Sequence, residues 1–165
     1  MLLEQCNVAY QIAPFDEGLY QECIDEVRQR GYPMDSDFRP YLWYGVVYAA
    51  NTRRHLPHRP TQIWIVLYIA CTIYIDDVSD RFPEEMANIY IFNDRFIRKE
   101  TQENPILDAF ADILRRVSDL YLPVASHLIT TSTLNFITAM MLEHETKHMK
   151  VWSKSRAEDV VDDDE

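Results

Sequence analysis

Three aspartates follow the most apolar stretch of the sequence. Asp76, Asp77 and Asp80 come directly after residues 63–75, which are almost all apolar. Asp76 and Asp80 are four residues apart, so on a helix they share one face and repel each other by about 0.2–0.5 kcal/mol. Carboxylates at the C-terminal end of a helix also oppose its dipole. Such a cluster favours a bound divalent cation, and its oxygen ligands suit Mg²⁺, whose other positions substrate phosphates can fill.

The aspartate pattern has a simpler explanation, because a solvated helix end also produces it. The chain is rich in aspartate, so three acids at this spacing are weak evidence by themselves. The apolar helix that precedes them favours the metal site, since it supplies the wall of an apolar pocket directly below a metal-binding rim.

A second pattern with its own chemistry lies near the end of the chain, where residues 144–148 read His-Glu-Thr-Lys-His. In zinc peptidases the two histidines of this motif bind Zn²⁺ and the glutamate acts as general base. The extended motif needs glycine at position 151 and histidine at position 154, where this sequence has Val151 and Lys154. A charged helix end that faces water is the plainer interpretation, and a zinc metallopeptidase is kept as the alternative function.

Charge and composition exclude several classes of protein. The chain of 165 residues has a net charge of −11, and six of its acidic residues lie in the last eight positions. There is no basic patch of the kind that binds nucleic acid. Only three glycines are present, which leaves no Gly-rich phosphate loop or dinucleotide-binding turn.

The cysteines and the N-terminus predict a cytoplasmic protein. Cys6, Cys23 and Cys71 form an odd set without a CxxC pair, as is typical of reduced intracellular thiols. The first residues lack the basic and apolar regions of a signal peptide. The longest apolar run is shorter than the roughly twenty residues that cross a bilayer, so no membrane span is expected.

The elements that position these residues are predicted to be helices throughout. The spacing of apolar residues and the positions of Gly and Pro indicate an all-α fold of six or seven helices in residues 1–154, followed by an acidic, disordered tail at 155–165. Most of the aromatic residues Trp43, Tyr44, Trp64 and Tyr68 are expected to lie in the core, and a minority of them to line any pocket. The predicted helices cover 17–30, 41–51, 61 to about 80, a segment starting near 83, 105 to about 122, and 124 to about 154.

Several segments together resemble the trichodiene synthase family of fungal sesquiterpene cyclases, which are class I terpenoid synthases. Residues 74–80 match the helix of the aspartate-rich metal motif, residues 46–48 match the segment upstream, and residues 132–136 with Glu143 match the long helix downstream. The resemblance covers about residues 19 to 145. It implies the N-terminal half of a terpenoid synthase helical bundle.

The resemblance also implies a function and a set of site residues. The family uses Mg²⁺ to ionise farnesyl diphosphate and cyclises the resulting carbocation in a dry, aromatic pocket. By this resemblance Asp76 is the principal Mg²⁺ ligand, and Asp77 and Asp80 assist it or hold basic partners. The residues one to three turns below Asp76 are expected to face the substrate pocket, although each could equally be an ordinary core residue: Ile65, Ile69, Thr72 and Ile73.

One half of such a site is missing from the sequence. The family's second metal motif has the form Asn/Asp-Asp-x-x-Ser/Thr-x-x-x-Glu, and residues 93–100 are the only candidate. They have Ile97 in place of the hydroxyl residue, and Glu100 comes one position early. We therefore expect a truncated synthase that has no cyclase turnover alone and that self-associates through an exposed apolar face. A non-catalytic helical interaction module is the third interpretation.

Overall fold

The computed structural model describes residues 13–33, 35–52, 56–82 and 85–147, except for the side chain of Asp80. In these ranges seven α-helices and no strand are found, which confirms the all-α prediction. The predicted tail at 155–165 lies outside the described residues, as do Cys6 and Pro83. The helices are α1 (Glu17–Arg30), α2 (Arg39–Thr52), α3 (Arg59–Arg81), α4 (Met86–Arg98), α5 (Pro105–Arg115), α6 (Val117–Leu120) and α7 (Pro123–Thr146).

Capping residues fix the ends of α1 and the start of α5. The side chain of Asp16 accepts a hydrogen bond from the backbone N–H of Leu19 at 2.8 Å, and Gly31 ends α1 with a φ of 67°. That left-handed conformation costs glycine nothing, which is why glycine is preferred after a helix. Asn104 caps α5 by accepting from the N–H groups of Ile106 and Leu107 at 2.9 and 3.1 Å.

The central helix is α3, which packs along α2 and also contacts α1 and α5. Its buried side chains include Val66, Ala70 and Ile75. The backbones of α2 and α3 approach closely at Gly45, where a Cβ atom would lie 2.5 Å from the carbonyl oxygen of Val66. The short link between the two helices makes them an antiparallel pair, so the first turn of α2 lies beside the last turns of α3.

The prediction that the chain has no membrane span concerns α3. The stretch Arg59–Ser79 is long and apolar enough to cross a bilayer by length and composition alone. Half of its most apolar window is buried inside the protein, as expected of the core helix of a globular bundle.

Two details differ from the sequence-based expectations. The helix predicted from 105 to about 122 is interrupted, because α5 ends at Arg115 and the four-residue α6 follows. Val117 is buried in α6. The helical spacing of apolar residues therefore continues past Arg115, and the sequence does not reveal that the helix is interrupted there.

The second difference concerns the aromatic residues of α2. Trp64 is buried on α3 and donates its indole N–H to the carbonyl oxygen of Ile113 at 2.7 Å. Trp43 and Tyr44, however, are 46% and 53% exposed. The core prediction was therefore wrong for Trp43, whereas Tyr44 lines a cavity, as was expected of a minority of these residues. Because α2 is apolar on all sides, its sequence does not indicate which face points inward.

Candidate functional site

The two adjacent aspartates near the end of α3 have different surroundings. Asp76 is exposed, and it lines two cavities that flank this end of the helix. Asp77 is partly buried, with 26% of its side chain exposed. Its Oδ1 accepts from Nε of Arg81 at 2.9 Å, and its Oδ2 accepts from the hydroxyl of Tyr41 on α2. Asp77 therefore ties the end of α3 to the start of α2.

Tyr41 is held as a hydrogen-bond donor by its surroundings. Burial and the neighbouring carboxylate of Asp77 raise the pKa of Tyr41 to about 12, so the hydroxyl keeps its proton at neutral pH. The ring of Tyr41 meets that of Tyr74 edge to face at 5.4 Å, and it lies 5.7 Å from the ring of Phe38. Sequence reasoning did not find Tyr41, because only the antiparallel pairing of α2 with α3 brings it to Asp77.

The donor groups at this end of α3 suit a loosely held Mg²⁺. Asp80 lies in the last turn of α3, but its side chain is not among the described groups. Within the described ranges, no three His, Cys, Asp or Glu side chains are close enough to bind one ion together. Mg²⁺ keeps several waters and often takes only one or two carboxylates from the protein. The exposed carboxylate of Asp76 fits that role, whereas both oxygens of Asp77 are already engaged.

The larger of the two cavities beside Asp76 has a volume of about 970 Å³ and is open to solvent. Its walls combine aromatic rings, two apolar side chains of α3 and an acidic rim. The rings are those of Tyr41, Tyr44, Tyr74 and Phe82; Ile73 and Val78 supply the apolar wall of α3, and Asp37, Asp76, Asp77 and Glu85 supply the acids, with Arg81 beside them.

The predicted pocket residues occupy different environments. Ile73 lines the large cavity next to Asp76. Ile69 and Thr72 are partly buried, and the hydroxyl of Thr72 donates to the carbonyl oxygen of Ile69 at 2.9 Å. Ile65 is buried in the core. The structure thus brings Ile73 to the cavity and leaves Ile65 among core residues.

The smaller cavity joins the end of α3 to the end of α7 and has a volume of about 50 Å³. Asp76 and Ser79 line it from α3, and Glu143 and His144 line it from α7. His144 is partly buried, with its ring edge-on to that of Tyr90 at 6.2 Å, so it does not simply face water as predicted. The second histidine of the zinc motif, His148, lies outside the described residues.

Residues 93–100, the failed candidate for a second metal motif, have structural contacts instead. The side-chain amide of Asn93 donates to the carbonyl oxygen of Leu134 and to the hydroxyl of Thr138, both at 3.0 Å, which fastens α4 to α7. Asp94 is exposed and pairs with Arg98 at 3.1 Å.

An all-α bundle with acidic residues at the end of its most apolar helix is consistent with a terpene synthase, and the homologues of this chain are fungal terpene synthases. It is 29% identical to alpha-cuprenene synthase of Coprinopsis cinerea over 93% of this chain and 47% of that protein. It is 34% identical to terpene synthase 29 of Postia placenta over 86% of this chain and 41% of that protein. It is 30% identical to longiborneol synthase of Gibberella zeae over 76% of this chain and 37% of that protein.

The chain spans less than half the length of these curated relatives. No protein-family model matches it. The relatives confirm the terpene synthase part of the resemblance, and the narrower likeness to trichodiene synthases stays a prediction.

Proposed function

We propose that this chain forms one half of a terpene synthase active site of the trichodiene synthase type, for which farnesyl diphosphate is the substrate and Mg²⁺ the cofactor. The observation that carries the proposal is the exposed carboxylate of Asp76 at the rim of an aromatic cavity, in a chain whose homologues are terpene synthases.

The two aspartates have separate roles in this proposal. Asp76 would hold Mg²⁺, with water and diphosphate oxygens in the other positions. A bound Mg²⁺ would supply positive charge that stabilises a departing diphosphate. Asp77 positions the end of α3 through Tyr41 and Arg81, so that the carboxylate of Asp76 stays at the rim.

The cavity supplies the environment that an allylic cation needs. When the C–O bond of farnesyl diphosphate breaks, the diphosphate keeps the electron pair and the farnesyl chain becomes a cation. The rings of Tyr44 and Tyr74 line the cavity together with Ile73. An aromatic face stabilises a nearby cation by about 0.5–2 kcal/mol, and an apolar wall reduces quenching by water.

The 165-residue chain is proposed to bind the diphosphate group without ionising the substrate. One exposed carboxylate can recruit a metal ion, but drawing off a diphosphate needs positive charge from more than one side. The sequence between residues 1 and 165 contains no intact second metal motif.

Calorimetric titration with inorganic diphosphate, with and without Mg²⁺, tests this proposal. We expect Mg²⁺-dependent binding to the wild type and to Asp94→Asn, a control that removes an exposed acid of α4. In Asp76→Asn the affinity should fall by at least about tenfold, because a charged metal ligand is lost. Equal binding by Asp76→Asn would contradict the role of Asp76.

Turnover is tested separately by incubation with farnesyl diphosphate and Mg²⁺, followed by gas chromatography and mass spectrometry of the extract. No sesquiterpene hydrocarbon is expected from this chain, and its detection would show that one half of the site suffices. Zinc that survives dialysis and is lost in His144→Ala would instead support the metallopeptidase.

A further inference from the structure

The large cavity beside Asp76 is lined by four acids and, among the described residues, by one basic side chain, that of Arg81. The acids are Asp37, Asp76, Asp77 and Glu85. Diphosphate is itself negatively charged, so this wall repels it unless positive charge is added. Mg²⁺ held by Asp76 would supply part of that charge, and Arg81 is the described group of this chain that can supply more.

Two ion pairs of the same spacing show how Arg81 differs from an ordinary surface arginine. Arg81 pairs with Asp77 at 2.9 Å and Arg98 pairs with Asp94 at 3.1 Å, each across one turn of its helix. The two arginine side chains are similarly exposed, at 67% and 63%, but those of Asp77 and Asp94 are 26% and 61% exposed. Arg81 is therefore paired with a partly buried carboxylate, whereas Arg98 is paired with a carboxylate in solvent.

The carboxylate of Asp77 is held in place by Tyr41 of α2. The hydroxyl of Tyr41 donates to Oδ2 of Asp77, while Oδ1 pairs with Arg81. Tyr41 is itself partly buried, with its ring against those of Phe38 and Tyr74. An arginine that is held in place before its ligand arrives loses less conformational entropy on binding, so these contacts prepare Arg81 to bind an anion.

The pair with Asp77 leaves part of the Arg81 guanidinium free for a ligand. Asp77 is the one acid that pairs with Arg81 within the described ranges. A guanidinium has more N–H donors than one carboxylate can accept, and its planar fork matches the oxygens of a phosphate group. Arg81 and Asp76 line the same cavity, so both are available to a diphosphate bound there.

We propose that Arg81 is a substrate-binding residue that contacts the diphosphate group, and that Asp77 and Tyr41 are positioning residues that hold Arg81 at the cavity. The proposal rests on the proposed function and adds a second positive charge to the Mg²⁺ at Asp76. The simpler alternative is that Arg81 only stabilises the C-terminal end of α3 through the helix dipole. Arg98, at the end of α4, represents that alternative and serves as the matched control.

Calorimetric titration of inorganic diphosphate into the chain in excess Mg²⁺ tests the proposal. Arg81→Gln should weaken binding about tenfold, because a hydrogen bond between charged groups is lost. Arg81→Lys should lose less, since it keeps the charge without the planar fork. Arg98→Gln removes the same charge from the matched pair and should bind within about twofold of the wild type, because an exposed charge away from the cavity is screened. Wild-type affinity in Arg81→Gln, or an equal loss in Arg98→Gln, would overturn the proposal.

The positioning role of Asp77 and Tyr41 is tested by combining substitutions, with circular dichroism to show that each variant is folded. Asp77→Asn and Tyr41→Phe should each weaken diphosphate binding about threefold, because they release Arg81 without removing it. Either of them combined with Arg81→Gln should lose no more affinity than Arg81→Gln alone, since residues that act through one group are not additive. Losses that add would show that Asp77 and Tyr41 act independently of Arg81 and would overturn their positioning role.

Failure of this inference can be told apart from failure of the proposed function. Mg²⁺-dependent binding that Asp76→Asn weakens and Arg81→Gln does not would keep the function and refute the role of Arg81. A wild type that binds no diphosphate at any Mg²⁺ concentration would refute the proposed function, and this inference with it.

Discussion

Helices α5 and α7 both begin with proline and both contribute to the core, yet they differ in what their outer sides expose. α5 buries Leu107, Phe110 and Ile113 and carries its charged residues on its more accessible side. α7 buries Ile137 and leaves Leu128 64% exposed. The apolar side of α5 is covered by packing within this chain, whereas α7 also has exposed leucines, Leu128 and Leu142, that none of the described residues covers.

The same contrast separates Asp77 from Asp76. Asp77 has both oxygens satisfied by groups of α2 and α3, so it is completed within the chain. Asp76 is exposed at the rim of two cavities, so its carboxylate is free to bind a ligand such as the proposed Mg²⁺. Substitutions in α5 should therefore cost more stability than substitutions on the exposed side of α7, and substitution of Asp77 should cost more than substitution of Asp76.

The largest difference is expected between Phe110→Ala on α5 and Leu128→Ala on α7. Phe110 is fully buried, and its truncation should lower the free energy of unfolding by about 3–5 kcal/mol through lost burial and a cavity. Leu128→Ala should change it by less than about 0.5 kcal/mol, since an exposed side chain is removed. Urea denaturation followed by circular dichroism measures both. A large loss in Leu128→Ala would mean that α7 is already covered.

A smaller effect is expected from the glycines of α1 and α2. Gly45→Ala would place a Cβ atom 2.5 Å from the carbonyl oxygen of Val66, so α2 and α3 must separate, at a cost of about 1–3 kcal/mol. Gly18→Ala is the control, because its Cβ would meet only side-chain atoms, of Asp16 at 3.3 Å and Arg59 at 3.5 Å. It should change stability by less than about 1 kcal/mol. Thermal unfolding of both variants checks this, and equal losses would contradict the close approach at Gly45.

The sequence predicts the helices that have clear caps better than it predicts the orientation of a helix that is apolar on every side. The helices with clear caps were predicted at their observed ends: α1 runs from Glu17 to Arg30, and α5 begins at Pro105. The exposure of Trp43 was not predicted, because α2 is apolar on every side and offers no pattern that orients it. Spacing along α3 was enough to name Asp76 and Asp77 as candidate site residues, but the contact of Asp77 with Tyr41, 36 residues away, depends on tertiary packing.

The third prediction separates Asp77 from Asp76 by stability rather than by binding. Asp77→Asn weakens the charged contacts with Tyr41 and Arg81, and a hydrogen bond to a charged group contributes about 1.5–3 kcal/mol. Because Arg81 is exposed, we expect a loss of only about 1 kcal/mol. Asp76→Asn should leave stability unchanged or raise it slightly, since it removes a carboxylate that opposes the helix dipole. Chemical denaturation at neutral pH measures both, and equal losses would show that Asp76 also has a structural partner.

The smallest effect is expected from the ion pairs that join α3 to α1. Arg59 pairs with Asp16 at 3.1 Å and with Glu22 at 2.9 Å, and the hydrogen bond from Arg59 lowers the pKa of Asp16 below its ordinary value of 3.8. A carboxyl group with a lowered pKa in the folded state binds protons more readily when unfolded. Its contribution to stability is therefore present above the unfolded-state pKa and is lost as the pH falls through the folded-state pKa.

Melting temperatures between pH 6 and pH 3 test this sign. Those pH limits are about two units above and one unit below the ordinary carboxyl pKa. The wild type should lose more stability over that interval than Asp16→Asn, which cannot titrate at this position. Asp94→Asn, which removes an exposed acid that pairs with Arg98 on its own helix, should follow the wild type. If Asp16→Asn also follows the wild type, the ion pair between Arg59 and Asp16 adds nothing measurable to stability. The packing of α1 against α3 would then depend on their buried apolar residues.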